Sequence, residues 1–112
     1  MSAPVPPCPD TPNCERTSRD FEATPDRLYQ AALTALTELN PVEFTLDRDD
    51  RSAQAAYRVA FVFTDDMHIA VRPTENGGST LYVRSASRVG YSDMGVNTRR
   101  VRRFFRHLAR HF

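Results

Sequence analysis

The chain has 112 residues, of which 40% are hydrophobic and 26% charged, and its formal net charge at pH 7 is +1. This length fits one domain with one modest core, and the composition is typical of a soluble globular protein. The longest apolar runs, such as residues 59–63, are far too short to span a bilayer. The N-terminus has neither a basic start nor a long apolar stretch, so we expect no signal peptide and a cytoplasmic location.

The charge is distributed unevenly along the chain. Residues 1–83 contain 7 Arg and 13 acidic residues, whereas residues 84–112 contain 8 Arg and a single acid, Asp93. All basic residues in the Lys+Arg count are Arg, which binds carboxylates and phosphates through two parallel hydrogen bonds. The near-neutral isoelectric point of about 7.9 argues against a dedicated nucleic-acid-binding protein.

The first part of the chain predicts an irregular arm followed by a helix. Residues 1–23 contain five of the eight prolines and are assigned to the arm, and residues 24–112 to a single α+β domain. Thr24 can cap a helix that has Pro25 at its first position and Asp26 near the positive end of its dipole. Apolar residues at helical spacing follow until Asn40-Pro41 ends the helix.

Four strands and a second helix are predicted next. Alternating apolar residues mark the strands at 42–46, 53–63, 67–71 and 81–83, and turn residues separate them at 48–51, 64–66 and 75–78. A helix with one apolar face begins at about Asn97. We therefore predict a four-stranded antiparallel meander sheet with an N-terminal and a C-terminal helix packed on one face.

The strand register predicts where charged residues meet. Keeping apolar residues in register pairs Ile69 with Val83 and Met67 with Ser85, which places Asp65 opposite Ser87 and His68 opposite Arg84. Asp66 then lies diagonally near Arg84 and Arg88. The segment 64–66, the segment 84–88 and the start of the last helix are thus expected at one end of the sheet.

This end of the sheet is the predicted functional site. Arg99 and Arg100 occupy the first turn of the last helix, where the helix dipole disfavours cations, so an internal carboxylate or a bound anion should compensate them. The leading hypothesis is a non-catalytic binding domain for a small anion. Its expected ligand-binding residues are Arg84, Ser87, Arg88, Tyr91, Asn97 and Arg100, and its supporting residues are Asp65, Asp66 and Asp93.

The chain resembles the domain-of-unknown-function 1499 family in three segments: Phe63-Thr64-Asp65-Asp66, the stretch from Arg84 to Asn97, and Cys8-Pro9-Asp10-Thr11-Pro12-Asn13-Cys14. The resemblance spans nearly the whole chain. It implies a small domain found in bacteria and plastid-bearing organisms with no established activity. Family members often continue after Pro-Asn-Cys with Val-Ser-Ser, whereas this chain has Glu15-Arg16-Thr17, so any role of that segment transfers weakly.

Several alternatives remain open at the level of sequence. Asp65 and Asp66 could serve a metal-dependent hydrolase, and the arginines of the last helix could bind an acidic partner, a nucleic acid or an anionic membrane surface. Cys8 and Cys14 could be free thiols or a local disulfide; no set of four ligands with zinc spacing accompanies them, so no metal site is assigned. No cofactor is predicted. A nucleotide-binding P-loop is excluded, because Val96-Asn97 replaces its Lys-Ser/Thr after Gly90 and Gly95.

Overall fold

The structure, a computed structural model, describes residues 4–60, 62–90 and 93–112. It is an α+β fold in which one antiparallel sheet is covered on one face by two helices. The elements in chain order are β1 (Cys14–Phe21), α1 (Pro25–Glu38), β2 (Glu43–Asp47), β3 (Ser52–Val59), β4 (Phe63–Pro73), β5 (Ser79–Ser87) and α2 (Val96–Ala109).

The sheet has five strands, so the predicted four-strand count is wrong. The strand order is β1-β5-β4-β3-β2, in which β2 to β5 form the predicted meander and β1 adds to the free edge of β5. Residues 14–21 therefore belong to the sheet and not to an irregular arm. Apolar alternation could not reveal β1, because three of its four residues on the helix side are Glu15, Thr17 and Arg19. Arg19 instead packs over the ring of Phe105 at 3.7 Å.

The predicted turn at residues 64–66 is also misplaced. β3 ends at Val59, and β4 already begins at Phe63, so Asp65 and Asp66 lie within a strand. Apolar residues occupy nearly every odd-numbered position from 53 to 71, so alternation alone cannot show where the chain reverses. Ala60, at the reversal, has a φ of +52°; Phe61 lies outside the described residues.

The two predicted helices and the predicted antiparallel meander of β2 to β5 are confirmed. Thr24 caps α1, with its side-chain oxygen accepting a hydrogen bond from Arg27 N. The register of β4 and β5 pairs Asp65 with Ser87, Met67 with Ser85 and His68 with Arg84. The core is a single apolar cluster between the helices and the inner face of the sheet, which leaves the opposite, outer face for polar groups.

Candidate functional site

The three segments expected to meet do lie at one end of the sheet, but their side chains separate onto two faces. Asp65 and Asp66 are neighbours on β4, and neighbouring strand residues point to opposite faces. Asp65 is buried on the inner face beneath α2, whereas Asp66 lies on the outer face. The predicted site is therefore divided by the backbone of the sheet.

On the inner face, Arg100 and Asp65 form a buried ion pair. Arg100 Nη1 lies 2.8 Å from Asp65 Oδ2, and the two side chains are only 4% and 2% exposed. The same nitrogen also donates to Asn97 Oδ1 at 2.9 Å and to Ser85 Oγ at 3.4 Å. The carboxylate that compensates Arg100 thus comes from within the protein.

Asn97 connects this ion pair to its surroundings. Its Nδ2 donates to Asp93 Oδ2 at 2.7 Å, to the carbonyl of Asn13 at 3.1 Å and to Ser87 Oγ at 3.1 Å. Its Oδ1 accepts from Ser85 Oγ at 2.6 Å. The amide of Asn97, which is 1% exposed, is fully engaged by the protein and holds β5, the arm and α2 together.

Asp93 occupies the N-terminus of α2, where the sequence predicts either an internal carboxylate or a bound anion. Its two carboxylate oxygens accept hydrogen bonds from the backbone N–H groups of Gly95 and Asn97, both at 2.8 Å. Burial alone would raise the pKa of this carboxyl, but the hydrogen bonds from the Asn97 backbone and side chain and from Gly95 lower its pKa below the ordinary value. A protein carboxylate thus accepts hydrogen bonds from two of the backbone N–H groups at the helix start.

Asn13 is a residue of this network that sequence reasoning missed. Its carbonyl accepts from Ser87 N at 3.0 Å as well as from Asn97, and its Nδ2 donates to the carbonyl of Gly90 at 2.7 Å. A disulfide between Cys8 and Cys14 closes the loop that precedes β1. The available signal was the Pro-Asn-Cys segment, but contacts across more than 70 residues cannot be inferred from spacing.

On the outer face, Arg88 forms a two-point ion pair with Asp66. Arg88 Nε and Nη2 lie 2.8 and 2.9 Å from the two oxygens of Asp66, and both side chains are more than 40% exposed. Asp66 pairs with Arg88 and not with Arg84. In the part of the chain that the structure describes, no group of three or more His, Cys, Asp or Glu residues could hold a metal ion.

Arg84, which is half-buried on the outer face, differs from Arg100 in having no ion pair among the described residues. It lies directly opposite Arg16 of β1 and His68 of β4, so three basic residues form one row across the sheet. Its Nε is the sole buried side-chain nitrogen or oxygen that lacks a hydrogen-bond partner among the described residues. Burial, and then the charge of Arg84, lower the pKa of His68 below its ordinary value.

A cleft lies beside this row of basic residues. It has a volume of about 320 Å³ and is bounded by Val5 of the arm and by Arg16, Thr17, Ser18 and Tyr82 of the sheet. Val5 is 2% exposed, and its carbonyl accepts a hydrogen bond from Arg16 Nη2 at 3.2 Å. The arm therefore lies against the outer face and forms one wall of the cleft.

The predicted site residues thus fall into three groups. Ser87, Asn97 and Arg100, with Asp65 and Asp93, belong to the inner network; Arg88 and Asp66 pair on the outer face; Arg84 stands apart from both. Tyr91, the remaining predicted ligand-binding residue, lies outside the described residues.

Solved structures of other proteins share this fold. A protein from Thermus thermophilus, TTHA0849, aligns with a TM-score of 0.59 at 14% identity over 88% of this chain and 95% of its own. CV1439 from Chromobacterium violaceum aligns with a TM-score of 0.54 at 18% identity over 88% and 96% of the two chains. At these identities the likeness concerns the fold alone.

Comparison of sequences places the chain in a family. No curated protein matches the sequence. The sequence profile of the family described as "Protein of unknown function (DUF1499)" matches residues 4–108, which is nearly the whole chain. On that match, and in agreement with its three characteristic segments, the chain belongs to the DUF1499 family.

Proposed function

We propose that this protein is a non-catalytic binding domain whose anion-accepting group is Arg84, on the outer face of the sheet. The observation that carries the proposal is the buried Nε of Arg84, which has no hydrogen-bond partner among the described residues. Arg16, His68 and Tyr82 lie around Arg84 on the same face and complete the site. An oxyanion accepting the Nε–H would supply the missing partner.

The energetics favour a bound anion at this position. A buried donor without a partner costs about 1–3 kcal/mol, and more when the group is charged. Arg16 and Arg84 stand directly opposite each other on adjacent strands, an arrangement of like charges that is itself unfavourable. Asp66, which lies diagonally from Arg84 on the outer face, is already engaged by Arg88. An anion between the two guanidinium groups would relieve both costs.

The chemistry of the site indicates a carboxylate, sulfate or phosphate group. The guanidinium fork matches planar and tetrahedral oxyanions, to which it can donate two parallel hydrogen bonds. The phenol of Tyr82 borders the cleft and can donate a further hydrogen bond. The neighbouring cleft, which Arg16 and Tyr82 line and Arg84 does not, has a volume of about 320 Å³, at the small end of ligand pockets, so a small metabolite fits better than a nucleotide.

The inner network then acts as the scaffold and not as the ligand site. Asn97 and Arg100 use their donors within the protein and are almost wholly buried, and Asp93 fills the start of α2. The arrangement gives no support to a hydrolase built on Asp65 and Asp66, because their carboxylates lie on opposite faces. A contribution of Tyr91 to anion binding stays a prediction.

Anion titration of the purified protein tests the proposal. We expect sulfate, inorganic phosphate or citrate to bind saturably by isothermal titration calorimetry, and Arg84→Gln to abolish that binding. Arg58→Gln is the matched control, because Arg58 of β3 is an exposed arginine on the same outer face of the sheet as Arg84. It should bind as the wild type does.

The outcomes separate specific from general effects. Sulfate also stabilises most proteins because it is excluded from their surface. Only a saturable heat of binding that Arg84→Gln abolishes is therefore taken as binding, and a rise in stability alone is not. Absence of saturable binding by all three anions, or equal binding by Arg84→Gln and wild type, would refute the proposal.

A further inference from the structure

We infer that the end of the molecule at which α2 begins docks on an anionic lipid bilayer. This surface, here called the apolar tip, is defined by Val62 and Phe63 at the start of β4 and by Val89 and Met94 between β5 and α2. It is distinct from the Arg84 site on the outer face. Exposed hydrophobic side chains occur there together with arginines that form no ion pair with a described acid.

The apolar tip concentrates the exposed hydrophobic residues of the molecule. Val62, Phe63, Val89 and Met94 are 78%, 47%, 63% and 83% exposed, and they account for four of the seven large hydrophobic residues exposed in the described chain. Phe63, Val89 and Met94 also line one open cleft of about 320 Å³, so the two segments are adjacent. Clustered exposed apolar side chains of this kind mark interaction sites.

Arginines surround the apolar tip. Arg99 and Arg103 are exposed in the first two turns of α2, and Arg58 is exposed on β3 next to Val59 of the cleft. Arg99 donates to the carbonyl of Met94 at 3.0 Å, which places its positive charge directly beside the most exposed apolar side chain. No ion pair joins Arg58, Arg99 or Arg103 to any acid in residues 4–60, 62–90 and 93–112.

The acids of this region do not cancel that positive charge at the surface. Asp65 is 2% exposed and paired with Arg100, and Asp93 is held by the N–H groups of the helix start. Asp66 is on the outer face and paired with Arg88. Glu15 of β1, whose Oε2 accepts from Thr98 Oγ1 in the first turn of α2 at 3.5 Å, offsets at most one of the three arginines, so the surface next to the apolar residues keeps a net positive charge.

A bilayer is the occupant that satisfies both features. Anionic headgroups attract arginines that lie near the membrane plane, and aliphatic side chains enter the boundary between headgroups and acyl chains. A nucleic acid would satisfy the arginines but would provide no apolar phase for Val62, Val89 and Met94. The charge complementarity and the projecting aliphatic side chains together favour peripheral membrane binding.

Vesicle flotation with the full chain tests the inference. The probes are vesicles of phosphatidylcholine alone and of phosphatidylcholine mixed with phosphatidylserine, and we expect binding to the mixed vesicles that weakens as ionic strength rises. The double variant Val62→Ser, Val89→Ser should lose about 10-fold in apparent affinity. The double variant Arg99→Gln, Arg103→Gln should lose about 25-fold, since each arginine near an anionic surface contributes about a factor of five.

Two control variants and one competing probe make the result decisive. Leu46→Ser removes an exposed apolar residue from β2, away from the apolar tip, and Arg110→Gln removes an exposed arginine at the other end of α2; both should bind as the wild type does. The substituted residues are exposed, so circular dichroism should show unchanged folding. The inference is wrong if the protein does not bind the mixed vesicles, if both pairs of variants match their controls, or if only a single-stranded oligonucleotide is bound.

Discussion

The buried ion pair between Arg100 and Asp65 offers the sharpest test of how the inner network works. Asp65→Asn removes the negative charge but keeps the size of the side chain, and it leaves the Arg100 guanidinium buried without a counter-charge. Asp66→Asn makes the same chemical change one residue later, on the opposite face of the strand, where Arg88 is exposed to solvent. The two variants therefore differ in burial and not in chemistry.

The expected magnitudes follow from this difference. Removing one partner of a buried pair destabilises a protein by about 3–5 kcal/mol. Arg100 keeps neutral acceptors on Asn97 and Ser85, so we expect the lower end of this range, about 3 kcal/mol, for Asp65→Asn. At about 4 °C per kcal/mol for a domain of this size, the melting temperature should fall by about 12 °C. For Asp66→Asn, whose side chain is 42% exposed, we expect little or no change.

Urea denaturation followed by circular dichroism at pH 7 measures both variants. The dependence of the unfolding free energy on urea should be the same in each, so that the shift in midpoint reports stability alone. Equal destabilisation by the two substitutions, or a larger effect of Asp66→Asn, would refute the division of the site into a buried scaffold and an exposed outer pair.

Three further predictions concern the outer face and the helix start. In the absence of an anion, Arg84→Gln should leave stability unchanged or raise the urea midpoint. The substitution removes a like charge opposite Arg16 and replaces the charged, partly unsatisfied guanidinium with a neutral amide. A loss of about 3 kcal/mol would contradict this prediction. Burial, and then the charge of Arg84, lower the pKa of His68 in the folded protein, so protonation of His68 favours the unfolded state. The stability that neutral His68 contributes is therefore complete above about pH 6.5 and is lost as the pH falls towards the lowered pKa. A sulfate ion bound beside His68 favours its protonated form. Sulfate should therefore reduce the loss of stability at low pH in the wild type and not in His68→Gln, which urea unfolding at a series of pH values would show. Gly95→Ala should cost about 1 kcal/mol in the same urea assay, because Gly95 has a φ of +80° that strains a residue with a Cβ; an unchanged midpoint would exclude strain there.

Much of the fold could be predicted because local signals agreed with the final packing. Thr24-Pro25-Asp26 carries a complete helix start, and the alternation around Ile69 and Val83 sets a register that burial enforces. β1 could not be predicted, because its inner-face positions hold Glu, Thr and Arg in place of apolar residues. Its pairing depends on backbone hydrogen bonds to β5 and on the packing of Arg19 over Phe105.

The position of the site at one end of the sheet was predicted, but the distribution of its side chains over the two faces of the sheet was not. The register brought Asp65 to Ser87 as expected, yet assigning residues 64–66 to a turn hid the fact that Asp65 and Asp66 face opposite sides. The same alternation separates Arg84 from the Ser85 and Arg100 network. Asn13 enters that network through a contact with Asn97, 84 residues away, which no spacing rule could have indicated.

The most direct measurement is the nuclear magnetic resonance signal of the Arg84 Nε–H group during a sulfate titration of the wild-type protein. We predict a saturable shift of this resonance and slower exchange of its proton with water, while the resonance of Arg100 stays fixed because its partners lie within the protein. An Arg84 signal that does not move at any sulfate concentration, or a titration in which Arg100 responds in its place, would contradict the assignment of the anion site to the outer face.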